Sequence, residues 1–334
     1  MTLARIDRKE RFPHIDLSDY RSWQDGLDAL HSAGGGRAIA PAGTHEEPLT
    51  IYDGVYLEGL GQQASTLRLP SGSPAGTHVV QTDDYAALRA AGTETAPANF
   101  GVSRLTIDGN KAGNPSGGSC LAIYGRHYET THLNLINAAA DGLTSAWATG
   151  TGYLVDGESM ESELHAIHIT NCDGHGFNFD GPHDSQISKV NPYKNGLNGF
   201  HITANAVGSQ FVSCHSWGWP QDWAWWIEAG MVQLVGCFGE SSLIGQLMIA
   251  ANSVSVTGGR YFQTVGAAVK GIQIGNGSNV TGLNILTDVY HCESGAIVFA
   301  NDGGGSRVDV GIYQTAGAVV TGATWSRTDT GRAA

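Results

Sequence analysis

Gly176-Phe177-Asn178-Phe179 opens a pattern that returns as Gly199-Phe200-His201-Ile202, Ala224-Trp225-Trp226-Ile227, Gln246-Leu247-Met248-Ile249, Gly271-Ile272-Gln273-Ile274 and Gly295-Ala296-Ile297-Val298-Phe299. Each unit is a residue, usually small, followed by alternating apolar positions. The leading apolar residues Phe177, Phe200, Trp225, Leu247, Ile272 and Ile297 lie 23, 25, 22, 25 and 25 residues apart. Alternation with period two is the mark of a strand, and a repeat in the low twenties is one coil of a solenoid. About ten residues upstream runs a second ladder: Ile167 and Ile169, Ile187, Phe211, Leu234, Val256 and Val280. Each coil therefore carries two or three strands, turned at Asp173-Gly174 or Lys194-Asn195-Gly196. A leucine-rich repeat has a similar length, but its consensus is missing. The pattern predicts an all-β fold, a right-handed parallel β-helix.

Composition agrees. The 334 residues hold 47 glycines, about twice ordinary usage, and only 15% charged residues, well below the usual ~25%. That charge level argues against a helical bundle, which needs a charged face on each helix. Net charge is −13, no basic stripe occurs, and nucleic acid is excluded as a partner. No apolar run is long enough for membrane insertion. The opening MTLARIDRKERFPHIDL has charges with no apolar stretch behind them, so no signal peptide is expected. Five widely spaced cysteines without a CxxC fit neither a disulfide framework nor zinc; Cys214, Cys237 and nearby Cys172 read as an inward stack of buried thiols. No cofactor or metal motif is present: HxxH at His165 and His168 falls on a strand, where residues three apart face opposite sides.

Upstream, Trp23, Leu27 and Leu30 follow helical spacing, and Ser22 with Asp25 resembles a capping box. This predicts a short capping helix over the open solenoid end. The chain divides into an extension (1–20), the helix and first coils (21–104), the β-helix (105–325) and a tail (326–334). The helix, the glycines after it, Ile39-Ala40-Pro41-Ala42-Gly43, Val55-Tyr56-Leu57-Glu58-Gly59-Leu60-Gly61 and Leu105-Thr106-Ile107-Asp108-Gly109-Asn110 resemble pectate-lyase-superfamily β-helices. Phage tailspikes and capsule depolymerases begin in the same way. The resemblance runs from residue 20 to about 320. It implies a homotrimer located on a virion, or otherwise acting outside the cell. Members include lyases, hydrolases, epimerases and pure binders, so the reaction must be read from the site.

If the apolar residues of the main ladder point inward, one outward column reads Asn178, His201, Trp226, Met248, Gln273, and the next reads Asp180, Thr203, Glu228, Ala250. Asp180 and Glu228 then stand two coils apart, about 9.6 Å at the ~4.8 Å inter-strand spacing. That is the upper end of the ~6.5–9.5 Å found between inverting glycosidase carboxylates. His201 sits between them. Residues 217–226 hold five of the eight tryptophans. Trp225 reads as core, whereas Trp217, Trp219, Trp223 and Trp226 form either a sugar platform or a trimer interface. Asp173, His175, Lys194 and Glu240 lie on matching turns, within reach of the same groove.

The stretch Phe179-Asp180-Gly181-Pro182-His183-Asp184 is similar to the Asp-Pro-His-Asp stretch of alginate epimerases and related lyases. An inserted glycine breaks the match, which leaves a Gly-Pro turn with a His–Asp pair as the alternative. Arginine is absent between Arg126 and Arg260, and Lys189 and Lys194 are the only lysines there. This disfavours the calcium pectate lyases. The leading expectation is a tailspike-like polysaccharide depolymerase that hydrolyses a bacterial surface glycan. Asp180 and Glu228 act as acid and base, His201 orients, and the tryptophans with Asn178 hold sugar. A non-catalytic glycan-binding spike and a lyase using His175, His201, Tyr193 or His215 are the alternatives.

Overall fold

The computed structural model describes residues 13–92, 97–147, 161–263, 269–277, 279–292, 294–299 and 305–313, and the backbone of 320–322. It is a parallel β-helix. An 11-stranded front sheet runs from Leu49–Ile51 to Val320–Gly322, and a 20-stranded sheet folds around the remaining sides. Each central coil contributes one front strand and two strands of the larger sheet, as in Phe177–Asp180, Gln186–Ser188 and Asn191–Tyr193. Phe177 pairs in parallel with Phe200, Phe200 with Trp225, Trp225 with Leu247 and Leu247 with Ile272. The repeat read from sequence is therefore the register of the front sheet.

The inward positions stack into one continuous core. Trp225 is fully buried and lies face to face with Phe200, centroids 3.8 Å apart. Tight corners between strands are made by left-handed residues, and most are not glycine: Ala166, Lys189 and Ser213 at one corner, Asn137, Asn171 and Lys194 at the next. Glycine matters instead where a front strand begins. A Cβ on Gly176 would stand 2.6 Å from the Pro192 side chain and 2.8 Å from the Gly199 carbonyl, so the small residue of the repeat is a packing requirement.

All five cysteines are buried and free. Cys214 and Cys237 sit at equivalent places inside one corner, their thiols donating to the Ile187 carbonyl at 3.8 Å and the Phe211 carbonyl at 3.3 Å, and burial pushes the Cys214 thiol far up. Cys172 departs from the expected stack. It follows a later strand and neighbours Cys120 at a different corner, its thiol donating to the Thr170 carbonyl at 3.5 Å.

At the N-terminal end, α1 (Trp23–Ser32) is capped by Ser22, whose hydroxyl accepts from the Asp25 amide at 3.1 Å. It buries Trp23, Leu27 and Leu30 against the first coils. A second helix, α2 (Tyr85–Ala91), interrupts the repeat and lies on the outer face of the front sheet, where Tyr85 packs with Ala122, Tyr124, Ala146 and Trp147. The first twelve residues and the tail 326–334 lie outside the described residues, as does most of loop 144–163.

Candidate functional site

Alternation on the front sheet turns every second side chain outward, and parallel register stacks those side chains along the axis. Asn178 pairs with His201, His201 with Trp226, Trp226 with Met248 and Met248 with Gln273. The second outward column is also in register. The Thr203 amide donates to Phe179 O, and the Glu228 amide to Ile202 O, so Asp180, Thr203 and Glu228 occupy successive coils.

His201 Nε2 lies 3.1 Å from Glu228 Oε2. Its Nδ1 is buried without a hydrogen-bond partner. The ring thus gains nothing from a proton on Nδ1, and the proton of the pair sits between Nε2 and the carboxylate. The dyad faces the groove, with the Glu228 side chain 40% exposed.

His175 stacks on His201, centroids 4.5 Å apart. Its Nδ1 accepts from the Asn198 amide at 3.1 Å, which leaves the ring proton on Nε2. Burial pushes its pKa down to about 4, against the attraction of Asp141 and with a further push from His201. His175 is therefore a neutral N–H donor across the neutral pH range.

Asp141, not anticipated from sequence, anchors this corner. Its carboxylate accepts from the His175 amide at 2.7 Å, Asn178 Nδ2 at 3.0 Å and Thr144 Oγ1 at 3.1 Å. One rule runs up this column: Asp141 accepts from the amide of His175, His175 from that of Asn198, and Asn198 from that of Trp223. Asp180 accepts from Thr203 Oγ1 and, at 2.9 Å, from Asn205 Nδ2.

The tryptophans do not form one platform. Trp223, which is buried, and the half-buried Trp226 meet edge to face on the front sheet, centroids 6.1 Å apart. Trp217 lies on the larger sheet, against Tyr193 and His215. Trp219 stands 47% exposed on the connecting turn. Three expected groove residues also turn away. Asp173 pairs with Lys111 at 2.7 Å, Lys194 Nζ lies over the Tyr193 ring, and Glu240 pairs with His215 at 3.3 Å. The reason is the left-handed corner at residues such as Lys194, which divides the larger sheet from the front. His183 and Asp184 pair with each other at 2.8 Å on the turn after Asp180.

The groove is also less free of cations than the arginine gap suggests. The helix α2 carries Arg89 onto the front face, where its Nη1 donates to Tyr85 Oη at 2.6 Å. Burial raises the Tyr85 pKa, Arg89 counters it, and both Asp141 and Asp180 are close enough to raise it further. Among the described residues no group of His, Cys, Asp and Glu is arranged to hold a metal ion.

No family model matches the chain. It is 29% identical over 206 residues to mannuronan C5-epimerase AlgE3 of Azotobacter vinelandii, a match that spans 58% of this chain and 9% of that protein. With AlgE4 of the same organism it shares 30% identity over 195 residues, 54% of this chain and 29% of the other. The chain thus aligns with a minor part of these relatives. The solved AlgE4 A-module superposes with a TM-score of 0.61 at 16% identity, covering 96% of this chain and all of that one. ORF18 of Geobacillus virus E2 superposes with a TM-score of 0.55 at 12% identity, over 95% of this chain and 60% of its own. These likenesses show the parallel β-helix fold.

Proposed function

We propose that this protein modifies an acidic polysaccharide whose chain lies along the front groove. In this reading the His201–Glu228 dyad removes the proton from the sugar carbon that bears the carboxylate. The observation that carries it is the bonding of the carboxylates. Hydrolysis needs one of the pair to donate an O–H to the leaving oxygen. Asp180 accepts from Thr203 and Asn205, and Glu228 faces the donor edge of His201, so neither stands as that donor. A base for carbon has only to accept, and the Glu228 carboxylate, open to the groove and oriented by His201 Nε2, suits it.

The neutral His175 Nε2–H beside the base is a donor for the sugar carboxylate, onto which charge moves when the C–H bond breaks. Returning a proton from water on the opposite face inverts the carbon, and the abstracted proton leaves the dyad to solvent. Passing the abstracted proton from the dyad to the neighbouring glycosidic oxygen as that oxygen is expelled leaves a double bond instead. The mannuronan C5-epimerases among the sequence relatives support this class of reaction.

A second reading, two-carboxylate hydrolysis by Asp180 and Glu228, draws on their two-coil separation. Incubation with polymannuronate in deuterated water separates the two. Proton abstraction gives deuterium at the acidic carbon, seen by NMR, or ultraviolet-absorbing unsaturated ends; hydrolysis gives new reducing ends with neither. His201→Asn and Glu228→Gln are expected to lose about 10²–10⁴-fold in rate, the usual worth of a general base. Asp180→Asn is expected to stay within about tenfold. Full activity in His201→Asn defeats the assignment.

A further inference from the structure

Resting on the reading above, we propose that Arg89 and Lys270 are end posts of the groove, each binding an acid group on a sugar some units away from the reacting one. The hydrogen-bonded column Asp141, His175, Asn198, Trp223 continues in register. Trp223 pairs with Gly245, and Gly245 with Lys270. Gly245 has no side chain, and the Trp223 ring covers its place. That brings the ring within 5.8 Å of Lys270 Nζ. The ammonium is fixed on its other side by Gln273 Oε1 at 2.6 Å, whose own Nε2 donates to Gly275 O at 3.1 Å. Lys270 is thus held by an amide and an aromatic face and, among the described residues, by no carboxylate. Arg89 is in the same condition at the opposite end. Its partner is the Tyr85 hydroxyl, and it makes no ion pair among the described residues.

The centre of the face carries the opposite sign, with Asp141, Asp180 and Glu228. A chain of −13 net charge has acidic residues to spare for pairing these two cations, yet among the described residues neither faces a carboxylate partner. From the His201 coil to the Lys270 coil is three steps, through Trp226 and Met248, or about 14 Å. An extended pyranose chain advances by about one coil per unit. Lys270 therefore addresses the third unit from the reacting sugar, and the half-buried Trp226 lies between them, with Trp223 and Met248 buried beside it. Discrimination arises because a charge-assisted contact forms only where that distant unit carries an acid group.

Calorimetry of oligomannuronate binding to the His201→Asn protein, which separates binding from turnover, tests this. Lys270→Met and Arg89→Met, each in that background, are expected to weaken hexamer binding about tenfold, with Lys270→Arg restoring it. The trimer is too short to span from the dyad to Lys270, so Lys270→Met leaves its affinity unchanged. The slope of hexamer affinity against salt falls in both variants. Unchanged hexamer affinity in both, with thermal stability retained, overturns the end-post assignment while leaving the dyad chemistry standing. Binding of neutral but not uronate oligomers by the His201→Asn protein overturns the acidic-substrate reading itself, and the end posts with it.

Discussion

Replacing His175 by Asn isolates the cost of keeping a buried imidazole neutral. The side chain sits beneath the groove, its Nδ1 on the Asn198 amide and its ring against His201. An ordinary imidazole titrates near 6.5, and this one near 4, chiefly because burial disfavours the charged form. The unfolded chain therefore binds a proton between those values that the folded chain refuses, so stability rises with pH across the window. It is fully present above about 6.5 and lost as pH falls towards 4. About 2.5 pH units at ~1.4 kcal/mol each makes about 3 kcal/mol, of which 2–3 kcal/mol is to be gone by roughly pH 4.5. Asn keeps an acceptor for the Asn198 amide but does not titrate. Urea unfolding followed by tryptophan fluorescence, at neutral pH and near pH 4.5, gives the comparison. The acid-induced loss in the wild type is expected to exceed that in His175→Asn by 2–3 kcal/mol, since the carboxylates contribute equally to both. Equal losses in the two proteins would refute the buried-neutral account.

Two further predictions concern the interior. Trp225→Ala removes a fully buried ring stacked on Phe200 and also the indole N–H that donates to the Phe238 carbonyl at 2.9 Å, and is expected to cost roughly 3–5 kcal/mol in unfolding measurements. A loss below about 1 kcal/mol argues against this packing. The five cysteines are expected to resist a thiol-selective disulfide reagent in the native state and to react together on unfolding, since Cys120 and Cys214 are pushed far up by burial and Cys292 to about 12. Stoichiometric labelling of the folded protein at neutral pH counts against it.

The coil register was readable because it rests on a local rule applied many times. Each coil meets only its neighbours, so a residue's place follows from its distance to Phe177, Phe200 or Trp225 without knowledge of the whole chain. That is why the column through Asn178, His201 and Trp226 could be written from sequence. The same rule gives little help at corners. Counting residues places Lys194 and Glu240 near the groove, but a left-handed backbone at Lys194 carries the chain round an edge, and the side chains of that strand face another side. Cys172 was misplaced for a related reason: similar spacing at a different corner looks like the same register.

The site was legible in its positions and not in its roles. Asp180, His201 and Glu228 fall where alternation places them, but what each can do depends on partners that no spacing encodes. Asp180 is paired by Thr203, one coil on in its own column, and by Asn205, which belongs to the turn after it. Asp141 had a signal that a longer template could have used. It precedes Gly142 as His175 precedes Gly176 and Asn198 precedes Gly199, and all three accept an amide from the next coil. Arg89 had none, because α2 breaks the repeat and its place on the front face is decided by Tyr85 packing against Tyr124 and Trp147. A solenoid thus fixes where a groove runs by repetition, while the insertions that escape the repeat supply the charges that set what the groove binds. Arg89 lies on such an insertion, and Lys270 stands three coils from His201, beyond the span of the Asp180 and Glu228 carboxylates.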